Sequence, residues 1–156
     1  MPAGGDRPYN GGMETASPPE PHFAAAATLI DALVAHDFEH LASAFETNAT
    51  LLALLPGGFR EWHGAGEIGE VFAHWFGDVD EFDVTDVTVG DVGPLLALRW
   101  RLRLRGARLG DAARVVEQHA YAVTNPTGRI GRMSLLCSGF WREHDVSSSP
   151  AATSRS

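Results

Sequence analysis

The sequence predicts an α+β domain, on two observations. Apolar residues recur at three- and four-residue spacing through the first half of the chain, as on one face of a helix, and beyond Gly77 the period falls to two, as on a strand. With 156 residues, 44% of them apolar, the chain can close one ordinary core and is short for two.

The elements follow in order. Phe23, Ala26, Ala27, Ile30, Leu33 and Val34 form a stripe that predicts a first helix from Pro21 to about Ala35. Asp37 reads as the cap of a short second helix carrying Phe38, Leu41, Ala42 and Phe45. Thr50 to Leu55 is a short apolar run ended by Pro56-Gly57-Gly58, and Phe59 to Trp62 returns as its hairpin partner. Ile68, Val71, Phe72, Trp75 and Phe76 make the cleanest helical stripe, begun near Gly66-Glu67 and stopped by Gly77. Phe82, Val84, Val87 and Val89 then suggest a strand with an irregularity near Asp86. In the next strand Leu96, Leu98, Trp100, Leu102 and Leu104 alternate with Arg99, Arg101, Arg103 and Arg105. Arg114 to Thr124 and Arg129 to Trp141 complete a meander through the turn Asn125-Pro126-Thr127-Gly128. Residues 1–20 and 144–156 are rich in Gly, Pro, Ser and Ala and are expected to be disordered, leaving a domain over 21–143.

A net charge of -8 opposes binding to phosphate backbones or anionic lipid, so neither nucleic acid nor membrane is an expected partner. Cys137 is the single cysteine and cannot form an internal disulfide, and the first residues lack the basic start and apolar core of a signal peptide. The apolar stretch Phe23 to Val34 is interrupted by Asp31 and is too short to span a bilayer. The expected location is the cytoplasm.

This element order resembles the nuclear-transport-factor-2-like superfamily and, within it, the SnoaL-like polyketide cyclases. Gly64-Ala65-Gly66-Glu67-Ile68 opening the third helix and Thr127-Gly128-Arg129-Ile130 turning the last two strands carry the likeness, which runs from Phe23 to Trp141. It implies a cone-shaped, strongly bent antiparallel sheet wrapped around three N-terminal helices and a deep apolar pocket, often paired into homodimers through the sheet. Members include cyclases, ketosteroid isomerases and epoxide hydrolases, beside binding domains with no chemistry. The cyclases place an acid near the end of the final strand and a histidine or arginine on its neighbour. Here Ser138 stands at the acid's position with Cys137 beside it, and His119 falls near the basic one.

The strongest chemical signal is Val115 to Val123, where strand alternation puts Glu117, His119 and Tyr121 on one face. If Arg114 and Gln118 face outward, these three look into the pocket with Leu98 and Trp100, where Glu117 or His119 would act as acid-base group and Tyr121 as hydrogen-bond donor. The alternative is a solvated sheet face on which Glu117 pairs with a neighbouring arginine. Trp75, Leu98, Trp100 and Ser138 are the expected ligand-lining residues, with Trp62 a further aromatic candidate. His36, Glu39 and His40, or His63 and His74, invite a metal reading, but Asp37 interrupts the first set and no partner spacing completes a site. No metal or cofactor is therefore expected. Cys137 reads as a buried small residue, and the arginine row as either an ion-paired surface or a dimer interface. The expected function is binding of a small hydrophobic molecule. The enzyme alternative is a cofactor-independent cyclase, isomerase or hydrolase.

Overall fold

In the computed structural model residues 21–110 and 112–145 are described, and the expectations for 1–20 and 146–156 lie outside them. Three helices, α1 (Pro21–Ala35), α2 (Phe38–Ala42) and α3 (Ala65–Phe76), cover one face of a single seven-stranded sheet. Its strands are β1 (Phe45–Leu55), β2 (Gly58–His63), β3 (Glu81–Val92), β4 (Leu95–Arg105), β5 (Arg114–Thr124), β6 (Ile130–Cys137) and β7 (Trp141–Arg142). The order across the sheet is β2-β1-β6-β5-β4-β3, with β7 paired to β5, and the sheet is open. All pairings are antiparallel except β1 with β6, so the sheet is mixed rather than wholly antiparallel. Among the described residues no helix is long and apolar enough to cross a membrane.

The helices form where expected, with two adjustments. Asp37 does cap α2, accepting from the backbone N–H of His40 at 3.0 Å. But α2 ends at Ala42 and Phe45 begins β1, because the chain must turn there for β1 to pair with both β2 and β6. In α1 the buried line is Ala25, Ala26, Leu29, Ala32 and Leu33, whereas Val34 is exposed. The helix is apolar on nearly every side, so periodicity alone leaves its rotation open, and packing selects a line with three alanines that lets the helix lie close to the sheet.

The core lies between the helices and the inner sheet face. Trp100, Leu96, Leu102 and Leu104 of β4 are fully buried and meet Phe72 and Phe76 of α3, with Phe45, Leu51 and Ile68 around them. Phe72 and Trp100 are in ring contact at 6.5 Å. Helices α2 and α3 approach closely at Gly69, where an added Cβ would stand 3.0 Å from both the Cβ of Ala42 and the carbonyl oxygen of Phe38. The larger Gly69→Val side chain should therefore overpack this crossing and cost about 1–3 kcal/mol. Urea unfolding of the two proteins measures the loss, and equal midpoints would contradict the close approach.

Helices α1, α2 and α3 all lie on the other side, and the outer sheet face meets only the helical residues 143–145 that follow β7, with Glu143 pairing to Arg103 and Asp145 lining a groove there. Arg99, Arg101, Arg103 and Arg105 project there and find acids on both sides. Arg99 Nη2 lies 2.7 Å from Asp86 Oδ2, Arg103 Nε 2.8 Å from Glu143 Oε2, and Glu81 sits 3.6 Å from both Arg103 and Arg105. The irregularity expected near Asp86 is a register shift between Val84 and Asp86. Ahead of it Asp83 stands opposite Arg103, and after it Asp86 stands opposite Arg101, so the bulge keeps acids on the arginine side.

Candidate functional site

The register of β4 against β5 decides which side chains meet. Arg101 is opposite Glu117, Arg99 opposite His119 and Trp100 opposite Gln118, and side chains of directly paired residues share a face. Glu117, His119 and Tyr121 therefore stand on the outer face with the arginines, and Leu98 and Trp100 lie on the inner one. This corrects the expectation that all five share a pocket wall. The expectation rested on a polar Gln118 facing water, yet Gln118 is fully buried, its Oε1 accepting from the indole N–H of Trp100 at 2.8 Å.

A groove of about 490 Å3 opens over the outer ends of β5 and β6. Glu117, His119, Arg101, Ser138 and Asp145 supply its polar groups, while Val115, Leu136 and Trp141 supply apolar wall. It exists because β5 changes partner along its length. His119 and Gln118 pair with Leu136 and Cys137 of β6, but Val115 and Arg114 pair with Trp141 and Arg142 of β7. The chain makes this exchange through Ser138-Gly139-Phe140. Gly139 has φ +82°, and a Cβ there would meet Pro56 Cγ at 2.6 Å, so glycine is required on both counts. The Ser138 hydroxyl accepts from the Glu117 backbone N–H and donates to the Gly139 carbonyl, both at 2.9 Å, and the Trp141 indole donates to the Ser138 carbonyl at 2.8 Å.

Glu117 is the hub. Its Oε1 accepts from Arg101 Nε at 3.0 Å and Nη2 at 2.8 Å, with Arg99 Nη1 at 3.7 Å, and its Oε2 lies 2.8 Å from His119 Nε2. Partial burial raises the carboxyl's pKa, but the hydrogen bonds from His119 and Arg101 and the charges of both arginines outweigh it and hold the group below its ordinary value. A carboxylate only accepts, so the imidazole proton belongs on Nε2, and Nδ1 remains with no partner among the described residues. The same holds for Arg101 Nη1, since that side chain's bonds all come from Nε and Nη2.

The other expected lining residues are dispersed. Tyr121 is exposed and lines a second outer-face hollow of about 380 Å3 together with His119, Leu136, Leu54 and Phe59. Trp75 meets Trp62 edge to face at 5.7 Å and lines a separate hollow between α3 and β2. Ser138 does line the groove with Glu117 and His119, and Cys137 is only partly buried at its rim. Sequence reasoning missed Arg101, Leu136 and Trp141, whose membership follows from strand register, and Gln118, whose Nε2 is the one buried side-chain polar atom without a partner among the described residues. Among those residues no three His, Cys, Asp or Glu side chains converge as metal ligands.

No family model and no curated protein sequence matches the chain. Solved structures do. A protein of Shewanella putrefaciens CN-32 assigned to the SnoaL-like polyketide cyclases superposes with a TM-score of 0.60 at 15% identity, over 88% of this chain and 99% of that one. The chain has the SnoaL-like, nuclear-transport-factor-2-like fold. A second protein so assigned, from Shewanella denitrificans OS-217, gives a TM-score of 0.57 at 18% identity over 85% of this chain and 97% of that one. A ketosteroid isomerase-like protein of Catenulispora acidiphila DSM 44928, solved with trimethylamine, gives 0.59 at 13% identity over 71% and 82%. At such identities the likeness concerns the SnoaL-like fold and leaves the site to be argued from its own residues.

The ion cluster makes stability acid-sensitive. Asp86, Glu117 and Glu143 all have lowered carboxyl pKa values, Asp86 through its hydrogen bond from Arg99 and Glu143 through that from Arg103, with Glu117 balanced as above. Their contribution is complete above the unfolded carboxylate pKa, near 4, and is lost as pH falls through the lower folded values. Urea midpoints from pH 7 to pH 2.5 should fall mainly below about pH 4. Glu117→Gln should lower the midpoint at pH 7 and flatten part of the acid limb, whereas an unchanged limb would show that Glu117 does not stabilise the fold electrostatically.

Proposed function

We propose that the protein binds a small hydrophobic molecule in the outer-face groove, with His119 as its acid-base group and Glu117 as the residue that positions it. The carrying observation is the 2.8 Å contact of His119 Nε2 with a carboxylate held by Arg101, which leaves Nδ1 as the ring nitrogen of a groove-lining side chain with no partner among the described residues. With its proton on Nε2 the ring presents the Nδ1 lone pair, and the carboxylate behind it holds the ring in that orientation. Glu117 itself is poorly suited to the base role, because its pKa is lowered and both oxygens are engaged. Val115, Leu136 and Trp141 supply apolar surface for the body of the ligand. Tyr121, in the neighbouring hollow, acts on the ligand only if it reaches past His119. The SnoaL-like fold, shared with proteins assigned as polyketide cyclases and isomerases, supports a cofactor-independent proton transfer next to a carbonyl.

The test is deuterium uptake from heavy water into a panel of cyclic diketones and polyketide-like carbonyl compounds, followed by NMR. His119→Ala should lower catalysed exchange by about 100- to 10,000-fold, the range for loss of an acid-base group. Glu117→Gln should lower it less, because the histidine remains. Binding without exchange in any protein leaves a binding domain, and exchange equal in wild type and His119→Ala rejects the assignment.

A second reading, a homodimer through the sheet, is favoured by the exposed Leu54, Phe59, Val123, Leu136 and Trp141 on the outer face. Light scattering at micromolar concentration should then give twice the chain mass, and Leu136→Asp should shift it to the monomer. A wild-type monomer at every concentration removes this reading.

A further inference from the structure

At the β2 edge of the sheet, on the face away from the groove, α3 and β2 bound a hollow of about 450 Å3. Leu51 and Ala53 of β1 are fully buried beneath the helices and pair directly with Trp62 and Arg60, so these two side chains of β2 share the helix side. Glu67, Glu70, Val71, His74 and Trp75 recur at three- and four-residue spacing and meet them from α3. Trp62 and Trp75 stand edge to face, 5.7 Å apart at 86°, and Trp75 is braced in turn by Phe72 at 5.1 Å and Phe76 at 5.9 Å. The two indoles thus make a right-angled aromatic corner, with Leu55 and Val71 as the apolar wall beside it.

The charges of this hollow are not spent on one another. Arg60 and Glu70 line it with opposite sign, yet neither side chain forms an ion pair or hydrogen bond with any described residue, and the same is true of the His74 ring. Glu67 is partly engaged, its Oε1 accepting from the His63 backbone N–H at 2.6 Å. Among the described residues neither indole has a side-chain cation over its face. The arginines of β4, by contrast, each meet a carboxylate. Opposite charges held apart across a hollow suit a ligand that carries both, and aromatic walls beside a carboxylate suit a cation clad in methyl groups. We propose that this hollow binds a free betaine, a small zwitterion whose methylated ammonium sits against the Trp62 and Trp75 corner beside Glu70 and whose carboxylate sits on Arg60. Two carboxylates against one guanidinium draw the cationic end, and Arg60 makes the anionic end necessary for full affinity. The site is separate from the groove and does not depend on what the groove binds.

Titration of the full chain with glycine and its mono-, di- and trimethylated forms, followed through the tryptophan indole N–H resonances, tests the site. Affinity should climb by up to about fourfold per methyl group and reach a Kd on the order of 1 mM for the trimethylated form, with the Trp62 and Trp75 resonances moving and that of Trp100 still. Choline, which has the cation without the carboxylate, should bind about tenfold more weakly, the scale of a charge-assisted hydrogen bond. Arg60→Gln should bring the betaine down to the choline level and leave choline unchanged, whereas Glu70→Gln should weaken both. Trp62→Leu should remove the dependence on methylation. Arg60 and Glu70 are exposed, so their variants keep the test decisive even if Trp62→Leu fails to fold. His119→Ala, on the other face of the sheet, should leave betaine binding unchanged. Equal affinity for betaine and choline in the wild type, or no gain with methylation, would overturn the proposal. So would resonances that move with phosphatidylcholine vesicles and not with betaine, or with none of these ligands.

Discussion

The pairing of β4 with β5 governs the rest of the molecule, and its strength lies in how badly the alternative register would perform. As folded, Trp100 and Gln118 meet in the interior and satisfy one another through the indole hydrogen bond, while Arg101 and Glu117 meet outside. A one-residue slip of β5 would set the Gln118 amide among arginines and turn Glu117 towards leucines. Burying that carboxylate away from Arg101 carries a desolvation penalty of several kcal/mol, and Trp100 would lose the acceptor for its N–H. The same pairing therefore closes the core on one side and assembles the polar end of the groove on the other.

Glu117 shows how a feature that resembles catalysis can be partly architectural. A carboxylate in a dry pocket has a raised pKa and can carry protons near neutrality, which is what an inward Glu117 would have offered. On the outer face it is instead an anchor, tying Arg101, Arg99 and the His119 ring together and held as the anion. In the function proposed above, the acid-base role therefore falls to the histidine, whose ring that anchor orients. The ion-paired sheet face and the proposed acid-base site involve the same atoms, because Ser138-Gly139-Phe140 opens a hollow beside the ion pairs.

Much of the fold was legible along the chain because the relevant physics is local. The Asp37 cap, the α3 stripe ended by Gly77, the hairpin at Pro56-Gly57-Gly58, the bulge beside Asp86 and the leucine and arginine alternation of β4 are each set by residues within a few positions of one another. The reading failed where a local signal was degenerate or was overridden. Helix α1 is apolar all round and its rotation was settled by packing, Phe45 joined a strand because β1 needed it for pairing, and the polar Gln118 was buried because Trp100 could satisfy it.

By itself, then, the sequence determined the element order, the side of β4 that is buried, and the fact that Glu117, His119 and Tyr121 share one face of β5, since strand alternation needs no partner to be read. Only the tertiary structure decided which face that is. Register is a relation between two strands, and within one strand the deciding residue, Gln118, has the polarity of a surface residue and the burial of a core one. The groove, too, belongs to the assembled sheet, because its walls come from Arg101, His119, Leu136 and Trp141 on four different strands, and no spacing along the chain records their meeting.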